Sequence, residues 1–171
     1  MKRTSYAEMP CSVARTLDVV GQWWTLLVVR DVFYGLHRFD DIQADLGIAR
    51  NVLADRLRTL VGRGVLERRP YSQRPVRHEY HLTEKGRDLL GVIAALLAWG
   101  DRWEQGPDGP PLTLVHRTCG HDAGAQVVCG HCGRRLRYGD VRAVATGGHL
   151  PPGAPSPAPD GHLPGRSLVG G

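Results

Sequence analysis

Four side chains that could bind a metal or undergo redox chemistry stand in two pairs: His116 with Cys119, and Cys129 with Cys132. Two residues separate the members of each pair, and a glycine follows each second member. This spacing lets both side chains turn towards one ion, and the glycine lets backbone amides approach the sulfurs. Four such ligands complete a tetrahedron, so the pattern predicts one structural Zn2+ ion.

The two pairs resemble the knuckles of a small zinc ribbon, with residues 112–115 and 126–128 as the expected strands. A module of this size buries little apolar surface, so a metal would help it to fold. His121 or His131 could replace His116 as the nitrogen ligand. The cysteines could also be reduced, or paired as disulfides, in a plain β-ribbon without metal.

The tetrapeptide Cys129-Gly-His-Cys132 also resembles the active site of protein disulfide isomerase. It therefore supports an alternative function, a cytosolic thiol-disulfide oxidoreductase that uses Cys129 and Cys132. Such a site needs a thioredoxin-like strand-to-helix setting that lowers the pKa of the first thiol. No βαβ pattern surrounds the tetrapeptide, which disfavours this alternative.

The fourth cysteine, Cys11, follows Pro10 near the first turn of a predicted helix over residues 11–20. The positive end of a helix dipole favours a thiolate, so Cys11 is a candidate redox-sensing residue. The alternative is a small buried residue at a dimer contact.

A second group of side chains, within residues 38–83, has the chemistry of DNA recognition. In a predicted helix over about 49–62, Leu53, Leu57 and Leu60 form one apolar stripe. The opposite face carries Arg50, Asn51, Asp55 and Arg58. Arginine and asparagine can make paired hydrogen bonds to guanine and adenine edges in the major groove. The alternative is an amphipathic helix whose charged face meets only water.

The elements around this helix complete a winged helix-turn-helix pattern. A shorter helix that begins near Arg38 precedes it, and Gly47 allows the turn between the two. A basic hairpin follows, with Val65–Arg69 and residues 76–83 as strands and residues 70–75 as the tip. Arg38 and the wing residues Arg74 and Arg77 join the predicted DNA contacts, although a charged hairpin can also serve solubility alone.

Helices on either side must support this unit. A helix over 22–34 has Trp24, Leu27, Val28 and Phe33 among its candidate buried residues. A long helix capped by Thr83 runs to about residue 105 and carries an apolar stripe wider than one small core needs. The extra width predicts a dimer seam with a second copy of the chain.

Residues 10–104 resemble the HxlR-type family of bacterial winged helix-turn-helix regulators, which are MarR-like. The matching segments are Cys11, 17–21, 24–30, Gly35, 38–39, Leu53, 56–57, 64–68, 75–77, 79–80, 82–83 and Gly86. Two positions depart from the family pattern: Trp23 replaces a common lysine, and Ala49 replaces a common serine, which weakens the N-cap. The resemblance implies a dimeric regulator of transcription, and some relatives sense oxidants or electrophiles with a cysteine at the position of Cys11.

The sequence therefore predicts a mainly α fold with a small β component. Its expected parts are a winged helix-turn-helix and dimerisation domain over 1–105, a zinc-ribbon-like β-module over 106–145, and a disordered Pro/Gly-rich tail over 146–171. The long helix at the end of the first part is the dimerisation helix. With a net charge of +5, no signal peptide and no apolar run near 18 residues, we expect a cytoplasmic protein without membrane contact. The predicted function is that of a homodimeric, sequence-specific regulator of transcription that binds double-stranded DNA, is not an enzyme, and responds to a small-molecule or redox effector.

Overall fold

Six helices and one two-stranded sheet form the regular structure of residues 5–104 and 106–142, the part of the chain that this computed structural model describes. The elements follow in chain order: α1 (Ser12–Val20), α2 (Thr25–Phe33), α3 (Phe39–Leu46), α4 (Arg50–Gly62), β1 (Leu66–Gln73), β2 (Val76–Leu82), α5 (Glu84–Arg87) and α6 (Leu90–Trp103). The chain divides into two compact units, Met1–Arg135 and Leu136–Gly171. The tail predicted over 146–171 lies outside the described residues. None of the helices described is long and apolar enough to cross a membrane.

The core gathers aliphatic side chains from α2, α3, α4, the start of β1 and α6. Its buried members are Val28, Val29, Val32, Ile42, Ile48, Leu53, Leu57, Leu60, Val65, Leu66 and Ile93. The predicted leucine stripe of α4 is confirmed, since its three leucines are at most 1% exposed. The stripe fixes the rotation of α4, so the opposite face of this helix must point to solvent.

The helix α2 begins three residues later than predicted, because Trp24 adopts a left-handed backbone conformation with φ of 74°. The predicted set of buried residues is correct at Val28 and wrong at Trp24, Leu27 and Phe33, which are each more than a third exposed in the single chain. The physical reason is helical phase, since the buried face follows positions i, i+3, i+4 and i+7. Those positions are Thr25, Val28, Val29 and Val32.

The turn between α3 and α4 follows the prediction. Gly47 ends α3 with φ of 62°, a conformation that is strained for residues with a Cβ. Ala49 occupies the N-cap of α4 without a side-chain hydrogen bond, which agrees with the weak cap expected there. The two helices are therefore joined as a helix-turn-helix.

The hairpin is longer and its tip tighter than predicted. Strand β1 continues past Pro70 to Gln73, so only Arg74 and Pro75 separate the strands. The antiparallel register shifts between Pro70 and Ser72, which is a β-bulge. A bulge on an edge strand tolerates a proline that cannot donate to the ladder, which explains why the turn-rich composition around Pro70 did not end the strand.

The long helix predicted after the wing is divided into α5 and α6. Thr83 caps α5 as expected, because its Oγ1 accepts the Gly86 amide at 3.1 Å. The same hydroxyl lies 2.7 Å from the carbonyl oxygen of Gly64. A Cβ placed on Gly86 would lie 2.2 Å from the carbonyl oxygen of Val65, so α5 packs directly on the backbone before β1. This joint fixes the end of the wing to its beginning.

The buried carboxylate of Asp18 connects segments that are distant in sequence. Its Oδ1 accepts hydrogen bonds from the Tyr6 amide and the Ser5 hydroxyl, both at 3.1 Å. Its Oδ2 lies 2.6 Å from Nη2 of Arg63, the C-cap residue of α4. The hydrogen bond from the Tyr6 amide, followed by those from Ser5 and Arg63, holds the pKa of Asp18 below its ordinary value despite burial.

Candidate nucleic-acid interface

The solvent-facing side of α4 carries the four polar residues that the helical phase predicted. Arg50, Asn51, Asp55 and Arg58 are all exposed, and we call this set the groove face. Asn51, Asp55 and Arg58 stand at i, i+4 and i+7, so they share one line along the helix. The groove face therefore offers hydrogen-bond donors and acceptors along most of α4.

Arg50 is held in position by α3. Its Nη1 donates to Oδ1 of Asp40 at 2.9 Å and to Oε1 of Gln43 at 3.0 Å. Its guanidinium lies 4.7 Å from the ring centroid of Phe39. A guanidinium has five N–H donors, so these contacts orient Arg50 and leave other donors for a ligand. The sequence did not predict Asp40 as a partner of Arg50. Its only signal is the position of an acidic residue in the first turn of α3.

The other members of the groove face make local contacts. Arg58 Nη1 lies 3.2 Å from Oδ1 of Asp55, and both side chains are more than half exposed. The Asn51 Oδ1 accepts the Val52 amide at 3.0 Å. Exposed ion pairs contribute little to stability, so Arg58 can exchange Asp55 for another anion at small cost.

Arg38 joins the start of α3 to the wing. Its Nε donates to Oε1 of Glu79 at 3.1 Å, and its guanidinium lies 4.7 Å from the ring centroid of Tyr71. The hydrogen bond from Arg38 holds the pKa of Glu79 below its ordinary value. Next to this pair, the Tyr80 amide donates to the His37 carbonyl at 2.8 Å. Arg38 therefore has a clear role in positioning the wing, and Glu79 is a partner that the sequence alone did not reveal.

The wing arginines Arg74 and Arg77 are exposed. Within residues 5–104 and 106–142, neither of them has an ion-pair partner. An open cleft of about 470 Å³ runs between the start of α3 and the wing, and Arg38, Arg50 and Arg77 line it together with Asp40. The structure thus brings Arg38, Arg50 and Arg77 to one cleft, while Arg74 lies at the tip of the hairpin.

The two cysteine-containing pairs lie in turns with the same backbone pattern. We call residues 115–122 the first knuckle and residues 128–135 the second. In each, the residue before the pair forms an isolated antiparallel bridge with the residue three positions after the second ligand, Val115 with Asp122 and Val128 with Arg135. The glycine after each pair donates its amide to the carbonyl of the first ligand at 2.8 Å. Both glycines have φ near 70°. The sequence repeat is therefore also a structural repeat.

Polar contacts within each knuckle surround the sulfurs. In the first, His116 Nδ1 lies 3.3 Å from the Cys119 sulfur. In the second, the backbone amides of Cys132 and His131 donate to the Cys129 sulfur and, with the Cys132 thiol, hold the pKa of Cys129 below its ordinary value. Amides directed at a sulfur stabilise the thiolate, which is the form that binds metals.

The predicted ribbon strands over 112–115 and 126–128 are not found in the described part of the module. Each segment instead ends in an isolated bridge to a residue just after its own turn, Val115 with Asp122 and Val128 with Arg135, so the two segments do not pair with each other. All four cysteines are free. Among the described residues, no three His, Cys, Asp or Glu side chains are grouped closely enough to hold one ion.

Cys11 is the N-cap residue of α1 and is exposed. Its carbonyl accepts the Arg15 amide at 3.0 Å, so the thiol stands at the first turn, as the sequence predicted. Sensing of oxidants by Cys11 stays a prediction.

Comparison with known proteins places this geometry among regulators. The profile of the HxlR-like helix-turn-helix family matches residues 19–107. The chain is 49% identical over 130 residues to the HTH-type transcriptional regulator MT3179 of Mycobacterium tuberculosis (strain CDC 1551 / Oshkosh), covering 76% of this chain and 82% of that protein. The crystal structure of PA1607, described as a candidate transcription factor, is 42% identical with a TM-score of 0.73, covering 82% of this chain and 98% of that one. PA1374 from Pseudomonas aeruginosa is 43% identical with a TM-score of 0.53, over 78% of this chain and 92% of that one.

The similarity also reaches beyond the family profile. A matched span of 130 residues cannot end before residue 130, so the similarity to MT3179 runs past residue 107. It includes the first knuckle and the start of the second.

Proposed function

The chain belongs to the HxlR-like helix-turn-helix family and is a DNA-binding transcriptional regulator, and we propose that it acts as a homodimer with α4 in the major groove. The wing then lies along the flanking backbone or in the minor groove. The observation that carries this proposal is the groove face of α4, which is exposed and shares one cleft with Arg77 of the wing through Arg50. We refer to α4 below as the recognition helix.

The division of labour between helix and wing follows from their side chains. Arg50 and Asn51 have donor and acceptor groups suited to base edges. Arg58 stands two turns further along the helix, where we assign it to a phosphate contact. Arg74 and Arg77 are long, flexible side chains on a narrow hairpin. They suit contacts to phosphates without recognition of bases. Arg38 positions the wing through its hydrogen bond to Glu79. We also propose that Arg38 contacts DNA directly.

The homodimer is supported by an apolar stripe that the single chain leaves exposed. On α6, Val92, Leu96, Trp99 and Trp103 are 40–61% exposed and recur at intervals of four, three and four residues. On α1, Val13 and Leu17 are 67% and 49% exposed. Two helices that each leave an apolar face exposed match what a second copy of the same chain would cover. Two recognition helices in successive major grooves would then read two half-sites.

Cys11 is the candidate input for a redox signal, because its thiol is exposed at the start of α1. A small-molecule effector is the alternative input. In either case the signal would act on DNA affinity.

The oxidoreductase alternative has less support. Cys129 and Cys132 lie in a turn, and residues 106–142 contain no helix that could follow them. A dithiol enzyme of the thioredoxin type places its first cysteine at a helix N-terminus. The related proteins compared above are described as regulators of transcription.

The oligomeric state and DNA binding can be tested together. We expect the full chain to sediment as a dimer and to shift a duplex from the upstream region of its own gene. Leu96→Glu with Trp99→Glu should give a monomer with at least about tenfold weaker binding, since two joined readers bind more tightly than one. Tyr138→Glu, an exposed substitution outside this stripe, is the control and should remain a dimer. A wild-type monomer that binds DNA at full affinity would contradict the homodimer.

The wing gives a separate prediction. The double variant Arg74→Ala and Arg77→Ala should weaken binding to cognate and scrambled duplexes by similar factors. The slope of log affinity against log salt should fall by about two, because each lost phosphate contact removes about one unit. Fluorescence anisotropy across a salt series measures both quantities. A large loss of specificity with unchanged affinity for scrambled DNA would contradict this role of the wing.

A further inference from the structure

We propose that the two knuckles together bind one structural Zn2+ ion through His116, Cys119, Cys129 and Cys132. This site is separate from the DNA interface, and the role of the ion is to fold the module rather than to react with a substrate.

The two knuckles agree in their backbone geometry. Both contain a pair of potential ligands followed by a glycine with φ near 70°. In both, the amide of that glycine donates a hydrogen bond to the first ligand residue, and a bridge closes the turn at the same relative positions. An ordinary surface loop has no reason to repeat this arrangement around each pair of potential ligands. A shared ion supplies such a reason, because each turn directs two donors to the same side.

The side chains of the two knuckles also have the donor chemistry of a zinc site. Three thiols and one imidazole form a donor set that suits tetrahedral zinc and leaves no open position for water. Binding converts three thiols to thiolates and releases their protons to solvent.

The structure also decides between the histidines. His116 occupies the position in the first knuckle that Cys129 occupies in the second, and it lies 3.3 Å from the Cys119 sulfur. His121 instead contacts the Cys119 carbonyl through Nδ1 at 2.7 Å. His131 lies between the two cysteines of its knuckle, at the position that Thr118 occupies in the first knuckle. His116 is therefore the nitrogen ligand.

The two pairs must approach each other for one ion to reach all four, because the described residues do not already gather three ligands. Nine residues separate Cys119 from Cys129. An extended chain of that length spans about 30 Å, so the connection permits the knuckles to converge. A module with little buried apolar surface can accept this closure, and the ion would stabilise it.

Metal content is the direct test. The full chain is purified anaerobically with reductant, stripped with a chelator, incubated with zinc and dialysed. We expect about one zinc per chain, following the rule of one ion per four ligands. Co2+ in place of zinc should give the absorption of a tetrahedral thiolate complex. Thiol titration should find one reactive cysteine, Cys11, in the native zinc form, and four after denaturation with a chelator.

Matched variants identify the ligands. His116→Asn and Cys129→Ala should each weaken zinc binding at least about tenfold, as losses of ligands or their supports do. His116→Cys should restore tight binding, since four cysteines also form a tetrahedral site. His121→Asn and His131→Asn are the controls and should bind like the wild type. DNA binding is measured for each variant as a check that the winged domain is folded.

The proposal would be overturned by a zinc content below about a tenth of an ion per chain, by tight binding retained in Cys129→Ala, or by equal losses in His116→Asn and His121→Asn. A disulfide between Cys129 and Cys132 in the anaerobically purified chain would do the same. None of these results would affect the assignment of the winged domain as a DNA-binding regulator.

Discussion

Replacing Arg50 or Asn51 with alanine is expected to lower the affinity for the cognate duplex by about 5–150-fold, or ~1–3 kcal/mol, and to relax discrimination at one base pair. Arg50 should have the larger effect, because three contacts together, with Asp40, Gln43 and the ring of Phe39, orient its guanidinium before DNA arrives, whereas one exposed ion pair would contribute little. A donor that is already oriented loses less conformational entropy when it binds. Asp40→Asn should therefore lower the affinity for the cognate duplex by less than Arg50→Ala does. When Asp40→Asn is added to Arg50→Ala, it should cause no further loss of affinity.

Arg58→Ala is the contrasting control on the same helix. It should weaken all duplexes alike and reduce the salt slope by about one unit, as expected for a phosphate contact. Anisotropy titrations with cognate, single-mismatch and scrambled duplexes separate the two behaviours. If neither Arg50→Ala nor Asn51→Ala changes affinity for the cognate duplex, α4 is not the recognition helix.

The second large effect concerns folding. Gly86→Ala is expected to destabilise the domain by about 1–3 kcal/mol, because the added methyl would press on the backbone carbonyl of Val65 at 2.2 Å. The carbonyl belongs to the chain that enters β1, so it cannot turn away as a flexible side chain would. Chemical denaturation followed by circular dichroism measures the loss.

Gly62→Ala provides the matched control. Gly62 also lies in a helix, but a Cβ there meets no atom within 4 Å. Removing its backbone freedom should leave stability unchanged or raise it by up to about 1 kcal/mol. Equal stabilities for Gly86→Ala and the wild type would mean that α5 does not pack firmly against Val65.

The sequence was sufficient where a single periodicity controlled the outcome. The stripe of Leu53, Leu57 and Leu60 fixed the rotation of α4 and so the exposure of Arg50 and Asn51. Gly47 and Thr83 marked helix ends through local backbone chemistry, and both were found there.

The sequence was insufficient where tertiary contacts or backbone geometry decided. The left-handed conformation of Trp24 makes α2 begin later than predicted, and the bulge after Pro70 lets β1 run further than predicted. Neither feature has a distinctive sequence pattern. The partners of Arg38 and Arg50 lie on other elements, so side-chain pairing could not be read from spacing along one helix. The ribbon strands were wrong because the paired residues lie within single knuckles.

Asp18 connects the N-terminal segment directly to the end of α4. The carboxylate holds Ser5 and Tyr6 on one oxygen and Arg63, at the last turn of α4, on the other. A chemical change at Cys11, which lies between Tyr6 and α1, would pull on this anchor from one side. Such a change would reach α4 at the end away from Arg50 and not at its groove face.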